Sequence, residues 1–249
     1  MNQSVAVIVR TKDRPRLLER ALANIAEQTH SQVKTVVVND GGDAQAVDQL
    51  VQASALNQVQ VIHHEVSRGM EAASNAGIRA CDSEFIAIHD DDDLWEPTFL
   101  EKTVTALEKT GDVMVVVRTD EYFEKITDSG FEFIESRPFW ENLQGVNIID
   151  YFRVNRAVPI GILYRRRLLD ELGYYVEDLP VVGDWEFNMR VASRYEVLFL
   201  NENLAHWSKR VDATGANSNS VYAAAKEHKF FDARVRSDAV RDHLAQGAH

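Results

Sequence analysis

Four short apolar runs, each followed by a polar loop and then a helix-forming stretch, limit what this chain can fold into. Val5-Ala6-Val7-Ile8-Val9, Val33 to Val38, Val59 to Ile62 and Phe85 to Ile88 are continuous and rich in β-branched residues. That is the pattern of strands buried on both faces. Pro15 opens a helix that carries Leu17, Leu18, Ala21, Leu22 and Ile25 at helical spacing. Asp43 caps a second helix, Ala44 to Ala55; a third runs from Gly69 to Ala80 and a fourth from Pro97 to Lys109. Strand–helix alternation with short connections specifies an α/β fold whose mostly parallel sheet is covered on both faces. Strands in such a sheet point one way, so the loops after them gather on one rim, where ligands bind.

The rim loops are rich in charge. They hold Asp13, Asp40, the stretch His64 to Arg68, and the run Asp90-Asp91-Asp92-Asp93. Four adjacent carboxylates repel one another unless something cationic compensates them. Hard divalent cations such as Mn2+ or Mg2+ take oxygen ligands and often share them with substrate phosphates. The competing reading is a solvated acidic turn that caps the next helix.

Composition removes several classes. The 249 residues carry a formal net charge of -12, a surface that repels nucleic acid. Cys81 is the single cysteine, so no intramolecular disulfide forms, which suits a reducing cytoplasm. Cys81 itself reads as a packing residue. No N-terminal stretch resembles a signal peptide, and no run approaches the roughly 20 apolar residues that span a bilayer.

The second half changes character. Asp112 to Arg118 reads as a strand, and Thr127-Asp128-Ser129-Gly130 marks a hairpin between Tyr122 to Ile126 and Phe131 to Ile134. Ile160 to Tyr164 is strand-like, and Gly173 ends the short helix after it. A helix follows Val181-Val182-Gly183-Asp184 and extends to Arg194. Val197 to Leu200 is strand-like, and Ala205 to Arg210 reads as the last piece of the domain after it. Residues 212 to 220 form a polar loop able to order over a ligand, and residues 221 to 245 a charged helix. The expected division is a domain over 1–215, with halves 1–110 and 111–215, and a helical tail over 216–249. The tail is compatible with covering the site, pairing two subunits as a homodimer, or making a peripheral membrane contact.

Taken in order, these segments resemble a family 2 glycosyltransferase with the GT-A fold. Val7 to Pro15 resembles the family's first strand and nucleotide loop, and Val36 to Gly42 its "VVDDGS" segment. Ala73 to Ile78 is similar to "ARNxGI", and Phe85 to Trp95 to the strand ending in the metal-binding "DxD", here Asp90-x-Asp92. Gly183 to Arg190 is similar to its "ED" helix. The resemblance implies transfer of a sugar from a nucleotide-sugar donor, a UDP-hexose or UDP-N-acetylhexosamine, to the hydroxyl of a glycan or glycolipid acceptor, with inversion. It implies a Mn2+ or Mg2+ cofactor and a role in surface polysaccharide or glycolipid synthesis, in the cytoplasm or at the inner face of the membrane.

The resemblance also implies roles for particular residues. Asp92 binds the metal, with His206 as a candidate second ligand. Thr11, Asp13, Asp40, Arg68, Asn75, Asp90 and Asp91 bind the nucleotide sugar. Asp184 is the catalytic base. Trp95, Trp185 and Trp207 suit either stacking on sugar or core packing. Three departures stand out: Arg10 and Lys12 replace the usual Pro and Tyr, Ser74 replaces a common Arg, and Gly183 replaces the Glu of "ED", leaving Asp184 alone. Two rival classes are a non-catalytic nucleotide-sugar or metal-binding module and a sugar-1-phosphate nucleotidyltransferase. The latter wants a glycine-rich loop, and Thr11 to Pro15 contains no glycine.

Overall fold

The computed structural model describes residues 3–211, 213–219 and 225–246. Its first half is the expected parallel unit. Strands β1 (Val5–Thr11), β2 (Val33–Asp40), β3 (Val59–His64) and β4 (Phe85–Asp90) lie in the order β3-β2-β1-β4, all parallel. Helices α1 (Pro15–Ala26), α2 (Ala44–Ala53) and α3 (Met70–Arg79) connect them. β1 is buried along its whole length, as a continuous apolar run requires.

Beyond β4 the sheet becomes mixed. After the acidic run come β5 (Leu94–Trp95), α4 (Phe99–Thr110), β6 (Met114–Thr127), β7 (Gly130–Pro138) and α5 (Ile148–Arg153). Then follow β8 (Ile162–Arg165), α6 (Arg167–Leu172), α7 (Gly183–Ala192), β9 (Leu198–Arg210) and α8 (Ala225–Gln246). β8 inserts antiparallel between β4 and β6, and β9 runs parallel to β6. The resulting order is β3-β2-β1-β4-β8-β6-β9-β5, with β7 paired to β6.

Three expectations change. The segments Asp112 to Arg118 and Tyr122 to Ile126 are one strand, β6, because Thr119 to Glu121 keep pairing with β9. Likewise Val197 to Leu200 and Ala205 to Arg210 join in β9, which absorbs an irregularity opposite Arg118. The fourth helix begins at Phe99 rather than Pro97, because Leu94–Trp95 first forms a short strand against His206 and Ala205. The expected loop over 212–220 is described from 213 to 219. The rest of it, and residues 221–224 of the expected last helix, lie outside the described residues.

Side chains alternate between two cores, as the period of a strand dictates. Ala6, Ile8, Val36, Val38, Ile86, Ile88 and Val116 face α3, α6 and α7. Val5, Val7, Val9, Val37, Phe85, Ala87 and Val117 face Leu18 and Leu22 of α1 and Phe99, Leu100 and Leu107 of α4. α8 joins the first core through Val235, with Phe231 beside it. Trp95 and Trp185 are core residues: their indole N–H groups donate to Ile160 O at 2.6 Å and Tyr151 O at 2.7 Å. Trp95 also stacks on Phe99 at 4.4 Å.

α3 approaches β1 closely because Gly77 has no side chain. A Cβ there would lie 2.5 Å from Ile8 Cγ2. Gly77→Ala therefore lowers stability by about 2 kcal/mol through overpacking, and Ile8→Ala in the same chain removes most of the coupling. Thermal melts of both single variants and the double variant check this; strictly additive shifts in Tm contradict it.

Candidate functional site

The acidic run leaves β4 at the C-terminal rim and turns sharply into β5. Its compensation comes from three arginines. Arg10, the Cα partner of Asp90 across the β1–β4 pair, donates from Nε and Nη2 to the two Asp90 oxygens, both at 2.7 Å. Arg14, just before α1, reaches Asp91 at 3.1 Å and Asp92 at 3.4 Å. Arg210, at the end of β9, donates to Asp92 at 2.5 Å and is itself buried. Thr11 Oγ1 donates to Asp91 at 2.8 Å, and the Ser208 backbone N–H donates to Asp93 at 2.9 Å.

These environments separate four identical side chains. Burial pushes the Asp91 carboxyl up to about 7, against the pull of Arg14. Burial, with Asp92 and Asp90 nearby, holds Asp93 well above the usual carboxylate range. Burial would also raise Asp92, but Arg210 and Arg14 outweigh it and hold Asp92 below its ordinary value. Asp92 is thus a firmly ionised oxygen donor at neutral pH. His89, between Ile88 and the run, is pushed down to about 4 by burial and is a neutral imidazole packed edge-on against Trp95 at 4.5 Å.

Arg14 and Arg210 also hold a strap. Arg14 donates to Ala216 O at 2.5 Å and Ser218 O at 3.0 Å, and Arg210 to Asn217 O at 2.5 Å. The Asn219 side chain is fastened to β9 at Arg210 N and Ser208 O. The segment expected to order over a ligand therefore lies across the cations that hold Asp91 and Asp92.

Asp184 sits in the first turn of α7, after Val182 in the left-handed region at φ 60°. It is not the helix cap. Its Oδ2 accepts from Asn155 Nδ2 at 2.9 Å, and burial raises its carboxyl above the usual range. The charges of Arg10 and Asp90 both act on it, and contacts lead from its turn to the acidic run: Gly183 meets Glu71, Glu71 lies 3.8 Å from Arg10, and Arg10 binds Asp90. The expectation that Gly183 leaves Asp184 alone is corrected. Glu71 of α3 is buried against Gly183, where a Cβ would lie 2.5 Å from its carboxyl.

Other expected contacts go elsewhere. Asp40 accepts from His64 Nδ1, Ser67 Oγ and the Arg68 and Gly69 backbone N–H groups at 2.6 to 3.0 Å. A carboxylate offers about four lone-pair sites, so protein donors fill it, and despite burial they hold its pKa down. Asn75 is fully buried and its side chain bonds Tyr175 and Glu177, fastening that loop to α3. The Arg68 side chain is exposed and lies 3.8 Å from Glu177, not on the acidic run. Asp13, at φ 54°, accepts from the Asp43 backbone N–H at 3.2 Å and stays near the rim surface. His206 Nε2 bonds Glu96 at 2.8 Å on the β5–β9 edge. Among the described residues, no group of three or more His, Cys, Asp or Glu is arranged to hold a metal ion.

Sequence reasoning missed Arg14, Arg210 and Glu71. The only signal was the excess of charge in the run itself, which demanded cations without saying which.

Comparison with known proteins agrees with this architecture. The family model described as glycosyl transferase family 2 matches residues 6–173. The uncharacterized glycosyltransferase YwdF of Bacillus subtilis (strain 168) is 30% identical over 196 residues, covering 78% of this chain and 69% of YwdF. Glycosyltransferase GlyA of Streptococcus pneumoniae serotype 4 is 24% identical over 82% of this chain, which spans 30% of GlyA. The S. aureus TarS 1-349 structure in complex with UDP-GlcNAc aligns with a TM-score of 0.67 at 18% identity, over 87% of this chain and 61% of that one. Mannosyltransferase PcManGT from Pyrobaculum calidifontis, in complex with GDP-Man and Mn2+, aligns at 0.62 and 18% identity, over 98% and 76%. The fold is that of these GT-A proteins, and the chain belongs to glycosyl transferase family 2.

Proposed function

We propose that this protein transfers a sugar from a nucleotide diphosphate donor to an acceptor hydroxyl in a single displacement that inverts the anomeric carbon. The observation that carries this reading is the chain of contacts from the turn of Asp184 through Glu71 and Arg10 to Asp90, which links the proposed base to the acidic rim. A binding module has no need of a base there.

Asp184 is the proposed base. As the acceptor oxygen bonds the anomeric carbon and the bond to the diphosphate breaks, one Asp184 oxygen takes the hydroxyl proton. Asn155 donates to Oδ2, and with the Trp185 backbone N–H it steadies the carboxylate for that transfer. Burial keeps the carboxylate basic enough for the task. The leaving diphosphate gathers negative charge at the rim, where Arg14 and Arg210 already stand.

Asp92 would hold a divalent cation, which when bound supplies Lewis-acid neutralisation of the leaving group. The chemistry of Asp92 fits: it is an ionised hard oxygen donor on the rim. On a rim next to Arg14 and Arg210 it suits a cation shared with a diphosphate. Thr11, Asp13, Asp40, Asp90 and Asp91 are the proposed walls of the nucleoside end, with Asp40 exchanging one protein donor for a base N–H. UDP-GlcNAc in TarS supports a UDP-hexose or UDP-N-acetylhexosamine donor, while Mn2+ in PcManGT supports metal use. The proposed acceptor is a glycan or glycolipid. A groove of about 870 Å³, lined by Trp140, Asp150 and Arg156 among others, is the proposed place for it. No described helix is long and apolar enough to cross a membrane.

Asp184→Asn lowers kcat by at least about 100-fold, with the Kd for UDP unchanged within error; parallel loss of both removes Asp184 from the base role. The acid limb of the kcat/KM profile for the wild type lies above the ordinary aspartate value of about 3.9, since activity is lost as the raised Asp184 takes up a proton. A limb at or below that value contradicts the assignment. In calorimetry, Mn2+ alone gives no saturable heat, Mn2+ with UDP does, and Asp92→Asn abolishes the difference. Tight Mn2+ binding without nucleotide contradicts the shared-cation reading.

A further inference from the structure

Glu71 is buried, yet none of the roles above uses it. It projects from the first turn of α3 onto the bare Cα of Gly183, in contact with the turn that carries Asp184. Its Oε2 is buried without a hydrogen-bond partner and lies 3.8 Å from Arg10 Nη1. Arg10 is already bound bidentately to Asp90, so it is not free to form a full pair with Glu71. The charged groups acting on the Glu71 carboxyl are Arg10 of β1, Asp90 of β4, and Asp184 and Glu186 of α7. Tyr175, whose hydroxyl is pushed up by burial, feels the Glu71 charge from the loop between α6 and α7.

We propose that Glu71 is a positioning residue for Asp184, the second carboxyl of an acid pair that α3 and α7 build around Gly183. This rests on the transfer reading above. Two carboxyls in one poorly solvated pocket do not both ionise readily. Glu71, pushed up to about 8 by burial and by Asp184, keeps its proton at neutral pH. Asp184, steadied by Asn155, then bears the single negative charge and is free to accept the acceptor's proton. Above that range Glu71 ionises and sets a second negative charge beside Asp90, where the anionic donor must bind. The absence of a Cβ at residue 183 is what lets the pair form.

Three variants test this. Glu71→Gln copies the protonated form and cannot ionise. From pH 7 to pH 9 the Kd for UDP with Mn2+ should rise about threefold or more in the wild type and not in Glu71→Gln, the difference expected from one added charge at short range. Stability gives a readout independent of turnover. The folded state keeps a proton that the unfolded chain releases near pH 4.3. Protonated Glu71 therefore contributes fully below that pH and loses its contribution as pH rises through about 8. The wild-type Tm should fall relative to that of Glu71→Gln across this window. Gly183→Ala drives a Cβ into the Glu71 carboxyl, so it should lower kcat about tenfold alone and add little in a Glu71→Ala background. Equal pH dependence of wild type and Glu71→Gln in both binding and stability overturns the assignment, and so does additivity of Glu71→Ala and Gly183→Ala. If no donor and acceptor pair supports wild-type turnover, the transfer reading fails, while the UDP and Tm measurements still decide whether Glu71 holds the proton.

Discussion

Everything at the rim depends on neutralising four consecutive carboxylates at the end of a buried strand. Such a run repels itself, and solvent reaches little of it. The fold answers with guanidinium groups from three places: a neighbouring strand, the entrance to α1, and the far end of β9. Arginine suits this task because its planar fork meets a carboxylate with two bonds at once, as Arg10 does on Asp90. The pairing joins the start of the chain to its later strands. It also brings the strap of residues 213–219 onto the same cations, so any anion that draws Arg14 or Arg210 away must loosen the strap as well.

The same logic links the two sides of the reaction. Arg10 is fully engaged with Asp90, and its remaining nitrogen faces Ser74 and Glu71. Beyond Glu71 lies the first turn of α7 with Asp184. Under the proposed roles, charge added beside Asp90 is felt at Asp184 through this short chain of groups, Arg10 and Glu71. Arg10 and Gly183, both departures from the family pattern, prove complementary. The arginine brings a cation to the pocket, and the glycine gives Glu71 room to approach.

Much of the fold could be read from the chain. Continuous β-branched runs identified β1 to β4, and Thr127 to Gly130 identified the β6–β7 hairpin, because both signals are local. The long strands β6 and β9 were read as fragments. Polar residues such as Thr119, Asp120 and Asn203 interrupt the apolar pattern where the strands leave the core, although their backbones remain paired. The donor acids and Asp184 were readable as residue types in a rim position. Their partners were not. Arg210 meets Asp92 across 118 positions, a pairing set only by the assembled sheet. The protein partners of Asn75 and His206, Tyr175 with Glu177 and Glu96, were not readable either, because polar residues near a site look alike in sequence whether they face a ligand or fasten a neighbouring loop.

The account stands on the acceptor hydroxyl, deprotonated by Asp184, displacing the diphosphate in one step, with no covalent sugar intermediate. The most direct measurement is NMR of the newly formed anomeric centre, recorded early in a reaction started from an α-configured nucleotide sugar. The account predicts a β-linked product from the first turnover. An α-linked product would contradict it, since retention requires a second displacement for which Asp184 alone is insufficient.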